Sequence, residues 1–183
     1  CSVAVQDART LPTGGPLVIV MERASTGDQL ALAVDAWERP ATPEDLAMLD
    51  GVRPAVLDIG CGPGRIASAL ARSGLPSLGI DVSPSALTTA SSLGAIVLER
   101  SVFDPLPGEG RWGSVLLLDG NIGIGGDPIR LLRRLRELLA DDGTAVVEVD
   151  PPRRWLVRDE VRLHGPGGDP GPWFDWAWVG VDG

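Results

Sequence analysis

Between Ala55 and Val149 short apolar runs alternate with helix-patterned segments, and this alternation limits the folds open to the chain. Ala55–Ile59 (A-V-L-D-I) reads as a strand, and Arg65–Ser73 as a helix ended by Gly74. Pro76–Ile80 is a second strand, ending at Asp81. Ser83-Pro84 opens a helix, with Ser as cap and Pro just inside, that runs to Leu93 and stops at Gly94. Ala95–Leu98 and Ser114–Leu118 are a third and a fourth strand. Asp127-Pro128 starts a helix to Ala140, with Leu131, Leu132, Leu135, Leu138 and Leu139 on one stripe. Asp141-Asp142-Gly143 turns, and Thr144–Val149 is a fifth strand. Continuous apolar strands are those covered on both faces. The order therefore predicts an α/β fold, a mainly parallel sheet with helices on both faces and right-handed crossovers.

The flanks read differently. Residues 1–50 are an irregular lead-in in which G-P-L-V-I-V-M-E suggests a short strand. Asp28–Glu38 carries Leu30, Ala31, Val34 and Trp37 near helical spacing. Thr42-Pro43-Glu44-Asp45 opens a helix to Leu49. After Pro151-Pro152, the segments Trp155–Leu163 and Trp173–Val181 pair as an antiparallel hairpin across the turn-rich H-G-P-G-G-D-P-G-P. Trp176 and Trp178 share a face there. With Trp155 and Trp173 they either pack the hairpin or line an apolar acceptor pocket as a lid. The 183 residues suit one domain, with a core over 54–150 and the hairpin over 151–183.

Charge narrows the partners. The net charge is −9, and all 16 basic residues are Arg. An acidic chain is repelled by phosphate backbones, so no nucleic-acid partner is expected. The cluster Arg130, Arg133, Arg134 and Arg136 reads as a solvated helix face. No apolar run approaches the roughly 18–20 residues that span a bilayer. The start C-S-V-A-V-Q-D-A-R-T lacks a secretory pattern, so a cytoplasmic protein without a membrane partner is expected. A chain beginning at Cys1 suggests a processed or truncated start. Cys1 and Cys61 make neither a disulfide framework nor a metal site, and no metal is expected. The oligomeric state is not legible.

The chemistry concentrates in Asp58-Ile59-Gly60-Cys61-Gly62-Pro63-Gly64, between the first strand and its helix. Glycines let the backbone approach a ligand where a Cβ would clash, and the helix start aims free N–H groups into the same space. The spacing is G-x-G-x-G, not the G-x-G-x-x-G that seats a dinucleotide pyrophosphate. Asp81, in G-I-D-V-S with Val82 beside it, ends the second strand about 20 residues past the loop, where an acid meets a ribose.

V-L-D-I-G-C-G-P-G-R followed by G-I-D-V-S-P resembles the first two motifs of class I S-adenosylmethionine-dependent methyltransferases, over about residues 54–150. The resemblance implies a Rossmann-like fold, S-adenosylmethionine as cofactor and a small-molecule acceptor. It assigns Gly60, Cys61, Gly62 and Gly64 to the loop under the methionine part, and Asp81 with Val82 to the ribose end. It assigns Asp58 to orienting the loop and the cofactor's amino group. The family's third motif reads roughly G-D-A before L-P. Counting back from Leu106-Pro107, Val102 stands in the acid's place, so the adenine contact falls to backbone at Val102 and Phe103 and to the Phe103 ring. In L-L-L-D-G-N-I-G-I-G-G-D-P, Asp119 and Asn121 are candidates for touching cofactor or acceptor. The family adds a helix and two strands after the fifth strand. Here either the hairpin replaces those strands or the chain is cut short.

A sulfonium is already a strong electrophile, so alignment is the main task. If a general base is used, the candidates are Asp119, Asp150 and His164. Cys61 is expected to have no chemical role. Two alternatives stand beside methyl transfer: an NAD(P)-dependent oxidoreductase, against which the glycine spacing argues, and a non-catalytic S-adenosylmethionine-binding module.

Overall fold

The computed structural model describes residues 6–7, 19–32, 34–149, 155–164 and 169–180. Its contacts divide the chain into two compact units. One comprises Trp37–Ile122 and Ile129–Glu148. The other gathers the described residues up to Ala36, Gly123–Pro128 and those from Val149 onward.

The first unit is a parallel sheet. In chain order the structure has strands β1 (Gln6–Asp7), β2 (Ile19–Arg23) and β3 (Gln29–Leu32), then helices α1 (Val34–Glu38) and α2 (Pro43–Ala47). There follow β4 (Val56–Ile59), α3 (Arg65–Arg72), β5 (Ser77–Asp81), α4 (Pro84–Ser92) and β6 (Val97–Glu99). Then come β7 (Trp112–Leu117), a 3-10 turn (Asn121–Gly123), α5 (Pro128–Leu138) and β8 (Leu139–Val147). The hairpin strands β9 (Trp155–His164) and β10 (Phe174–Gly180) close the order. The parallel sheet runs β6-β5-β4-β7-β8, with all four pairings parallel. Every residue of β4 and β7 is buried, as continuous apolar central strands should be. Val56, Ile66, Leu70, Leu116 and Leu118 form one core cluster, and Cys61, Ala67, Leu87, Ala90 and Ala95 another. The predicted α/β core is thus borne out, with strand ends shifted by one to a few residues.

Two local readings change. On α5, Leu131, Leu135 and Leu138 are buried at i, i+4 and i+7, but Leu132 is 44% exposed. Leu132 lies about 100° round the helix from Leu131 and faces away from the core. The expected turn at Asp141-Asp142-Gly143 lies inside β8. Pairing jumps from Trp112↔Leu139 to Ser114↔Thr144, so Ala140 to Gly143 bulge out opposite Gly113.

The second unit is an antiparallel sheet in the order β1-β3-β2-β9-β10. Gln29–Leu32 is a strand, not the start of a helix. Gly27 (φ 69°) turns the chain so that Met21 pairs with Leu30, and four residues fit strand pairing as readily as helical spacing. The helix is confined to α1. The hairpin forms as expected, with Trp176↔Asp159 and Trp178↔Val157 in register. It pairs with β2 in this separate sheet and does not replace strands of the parallel one. Arg23 stacks on Trp178 and Arg162 on Trp173, while Phe174 meets Trp176 edge-on.

The α5 correction is testable. Leu131→Ala should cost about 2–5 kcal/mol in urea unfolding, while Leu132→Ala stays within about 0.5 kcal/mol of the parent. Equal losses would restore the five-leucine stripe.

Candidate functional site

The site begins where β4 ends. Gly60 and Cys61 both donate backbone N–H to Ile80 O, at 2.8 and 3.0 Å, which folds the loop over the end of β5. Gly60 sits at φ 69°, and a Cβ there would lie 2.5 Å from Asn121 Nδ2. Only glycine permits that approach. Asn121 Nδ2 fills the space and donates to Ile59 O and Gly60 O, at 2.9 and 3.0 Å. Gly64 (φ 90°) caps α3 without any side-chain cap, and its missing Cβ makes room for Ala90 of α4. Gly64 supplies no side-chain cap, and within this first turn Ala67 N–H bonds the Asp58 carboxyl.

Asp81 closes the loop from the other side. Its carboxylate accepts from Gly62 N–H and Ser83 N–H, both at 2.9 Å. A carboxylate has about four acceptor positions, so capacity for two hydroxyls remains. Val82 beside it is 68% exposed.

Asp58 lies beneath the loop, 3% exposed, and its Oδ2 is buried without a hydrogen-bond partner. Burial is the main force on this carboxyl, with the charges of Asp119 and Asp81 adding to it and Arg65 opposing. Together they push its pKa up to about 7. The Cys61 thiol is buried, and burial with the charges of Asp58 and Asp81 pushes its pKa up. It is packing, not a nucleophile: a Cβ on Gly79 would lie 2.7 Å from Cys61 Sγ.

Asp119 and Asn121 turn out to be engaged. Asp119 alone among described non-glycine residues has positive φ, at 53°. Arg65 Nη2 donates to both its carboxylate oxygens, at 2.8 and 2.6 Å, and its N–H donates to Glu148 Oε2 at 2.7 Å. Arg65, 5% exposed, also ion-pairs with Asp45 of α2. Asp45 completes a capping box with Thr42 and accepts from Arg39 at 2.8 Å. Burial raises the Asp45 pKa, but bonds from Arg65, Thr42 and Arg39 outweigh it and leave it well below the usual range.

A family model described as a methyltransferase domain matches residues 36–170. The chain belongs to this methyltransferase-domain family. The fold agrees. An S-adenosylmethionine-dependent methyltransferase from Bacteroides fragilis, solved with S-adenosyl-L-homocysteine, is 21% identical over 88% of this chain and 73% of that one, with TM-score 0.69. The CcbJ methyltransferase from Streptomyces caelestis is 19% identical over 79% and 74%, with TM-score 0.57. Among curated proteins no sequence match is found. The class I S-adenosylmethionine-dependent methyltransferase resemblance therefore holds for family and fold, and S-adenosylmethionine is the cofactor that goes with it.

In the methyltransferase, Val102 and Phe103 follow β6, the strand beside β5. Val102 is buried, and its carbonyl accepts from Arg134 Nε at 2.9 Å. The Phe103 ring is stacked by Arg130, 4.1 Å from the guanidinium carbon to the centroid. A groove of about 440 Å³ runs beside it, walled by Arg133, Glu109 and Glu137 among others. Charged side chains line it together with the apolar Phe103 and Pro105, and the glycine loop does not. His164 belongs to the antiparallel unit, 2.5 Å from Glu22. Asp150 and Cys1 lie outside the described residues. Among the described residues no group of His, Cys, Asp or Glu could hold a metal, and no helix is long and apolar enough to cross a membrane. Arg65 is the residue that sequence reading missed. One signal was present: a cation at a helix N-terminus runs against the helix dipole.

Asp58 makes stability depend on pH. Its ordinary pKa is 3.8 and its folded value about 7. Between these, the folded state binds more protons, so this group's contribution falls as pH rises and levels off above pH 7. Asp58→Asn should therefore gain on the wild type from about pH 4 to 7, by at most about 1.4 kcal/mol per pH unit. Unfolding curves whose difference is flat in pH would contradict the shifted carboxyl.

Proposed function

We propose that this methyltransferase holds S-adenosylmethionine at the carboxyl ends of β4 and β5 and passes its methyl group to a small-molecule acceptor. The observation that carries the reading is the buried, unpartnered Asp58 Oδ2 beneath a glycine loop whose Gly62 faces open space. Leaving a buried carboxylate oxygen without a protein partner is costly. The cofactor's ammonium would complete it. Asp81 would hold the two ribose hydroxyls on its remaining acceptor positions, with Val82 as the apolar neighbour. The start of α3, where Gly64 brings no capping side chain, suits the cofactor's carboxylate.

When bound, the cofactor supplies a methyl group on a sulfonium. The chain's own residues then bind and orient. Asp58 and Asp81 fix the two ends of the ligand, and Asn121 keeps the loop in shape. Alignment alone removes much of a bimolecular barrier. Asp119 is tied to Arg65 and Asn121 to two carbonyls, so both act on the site through its shape.

A small acceptor follows from charge. The net charge of −9 repels polyanions. Within the arginine cluster, Arg134 is tied to Glu109 and Glu137, Arg136 lies 3.6 Å from Asp141, and Arg130 stacks on Phe103. These pairings support a small acceptor over a polyanion. A cytoplasmic setting fits the same reading.

The decisive comparison is S-adenosylhomocysteine against NAD. The first should raise the melting temperature and the second should not. Asp81→Ala should weaken S-adenosylhomocysteine about tenfold or more in calorimetry, by loss of charge-assisted hydroxyl bonds. Stabilisation by NAD alone, or an Asp81→Ala affinity equal to wild type, would overturn the reading. Methyl transfer to no acceptor in a broad panel, with homocysteine-product binding intact, would favour a non-catalytic binding module.

A further inference from the structure

We propose that Arg65 is a positioning residue of the cofactor site: through Asp119 it sets the turn at the end of β7 whose Asn121 clamps the glycine loop, and through Asp45 it ties that turn to α2. The inference rests on the cofactor reading above and extends it to a residue that meets no ligand.

The geometry is a relay of alternating charge. Arg39 bonds Asp45, Asp45 pairs with Arg65, and Arg65 Nη2 takes both oxygens of Asp119. Asp119 occupies a left-handed backbone conformation that disfavours a side chain. Such a residue persists only when its surroundings over-determine it. Here Arg65 holds the side chain and Glu148 the backbone N–H. The next pinned residue is Asn121, whose N–H returns to Leu118 O at 3.0 Å and whose amide grips Ile59 and Gly60. Releasing Asp119 therefore loosens the turn that shapes the loop.

Arg65 also sets the charge balance. Asp58 is faced by Asp119 at the end of β7, Asp81 at the end of β5 and Arg65 on α3, and the Arg65 charge opposes the two carboxylates. Removing it makes Asp58 harder to ionise. A ligand that needs ionised Asp58 then binds only at higher pH.

The test uses the full chain. Hydrogen exchange is measured without ligand at the Asp119 and Asn121 amides, and S-adenosylhomocysteine affinity is measured from pH 5.5 to 8.5. Arg65→Gln should speed exchange at these two amides about tenfold while β5 amides keep wild-type rates. It should also weaken the ligand about tenfold and move the pH midpoint of affinity upward. Arg65→Lys, which keeps the charge, should leave the midpoint in place and recover part of the affinity. If Arg65→Gln does not fold, Asp119→Asn takes its place in the exchange and affinity measurements. Wild-type exchange at both amides, uniform acceleration across the sheet, or an unmoved pH midpoint would overturn the inference. Failure of the wild type to bind S-adenosylhomocysteine would instead sink the cofactor reading, because the ligand-free exchange still reports whether Arg65 fixes the turn.

Discussion

The turn that follows β4 is made by side chains that capture backbone. Asn121 takes the Ile59 and Gly60 carbonyls, and Asp81 takes the Gly62 and Ser83 amides. Neither capture is possible unless β5 and β7 flank β4 in parallel. The strand order thus has a chemical consequence: it brings two loops distant in sequence onto one backbone turn. Buried backbone groups must be paired, and here the pairing also shapes a ligand cradle.

Charge is the second organising element. Asp58, Asp81 and Asp119 gather at the strand ends, and Arg65 partly compensates them. Burial, with the charges of Asp119 and Asp81 nearby, raises the proton affinity of Asp58. A cationic ligand relieves that repulsion. The sulfonium and ammonium of S-adenosylmethionine suit such a place better than the pyrophosphate of a dinucleotide, which the same carboxylates would repel.

Much of this was legible because it is local. Continuous apolar runs marked the parallel strands, Thr42 and Ser83 marked helix starts, and the glycine loop with Asp81 lies at a spacing fixed by one strand-helix-strand unit. What was not legible depends on distant partners. Gln29–Leu32 becomes a strand because β2 pairs with it, and β2 is held in turn by β9 far along the chain. Arg65 has no role in the sequence beyond opening a helix until α2 and the end of β7 supply Asp45 and Asp119. Asn121 was legible as a candidate for touching cofactor or acceptor, but its grip on Ile59 and Gly60, in the space a Gly60 Cβ would take, was not. The Phe103 ring, expected against adenine, has Arg130 of α5 stacked on it, a pairing across β7 that no local pattern encodes.

The central claim is that the turn after β4 is a seat for an adenosyl amino acid. A crystal structure of the chain grown with S-adenosylhomocysteine tests it most directly. The account predicts the ribose hydroxyls on the Asp81 carboxylate and the ammonium beside Asp58. Density for the ligand elsewhere, or none at saturating concentration, would contradict it.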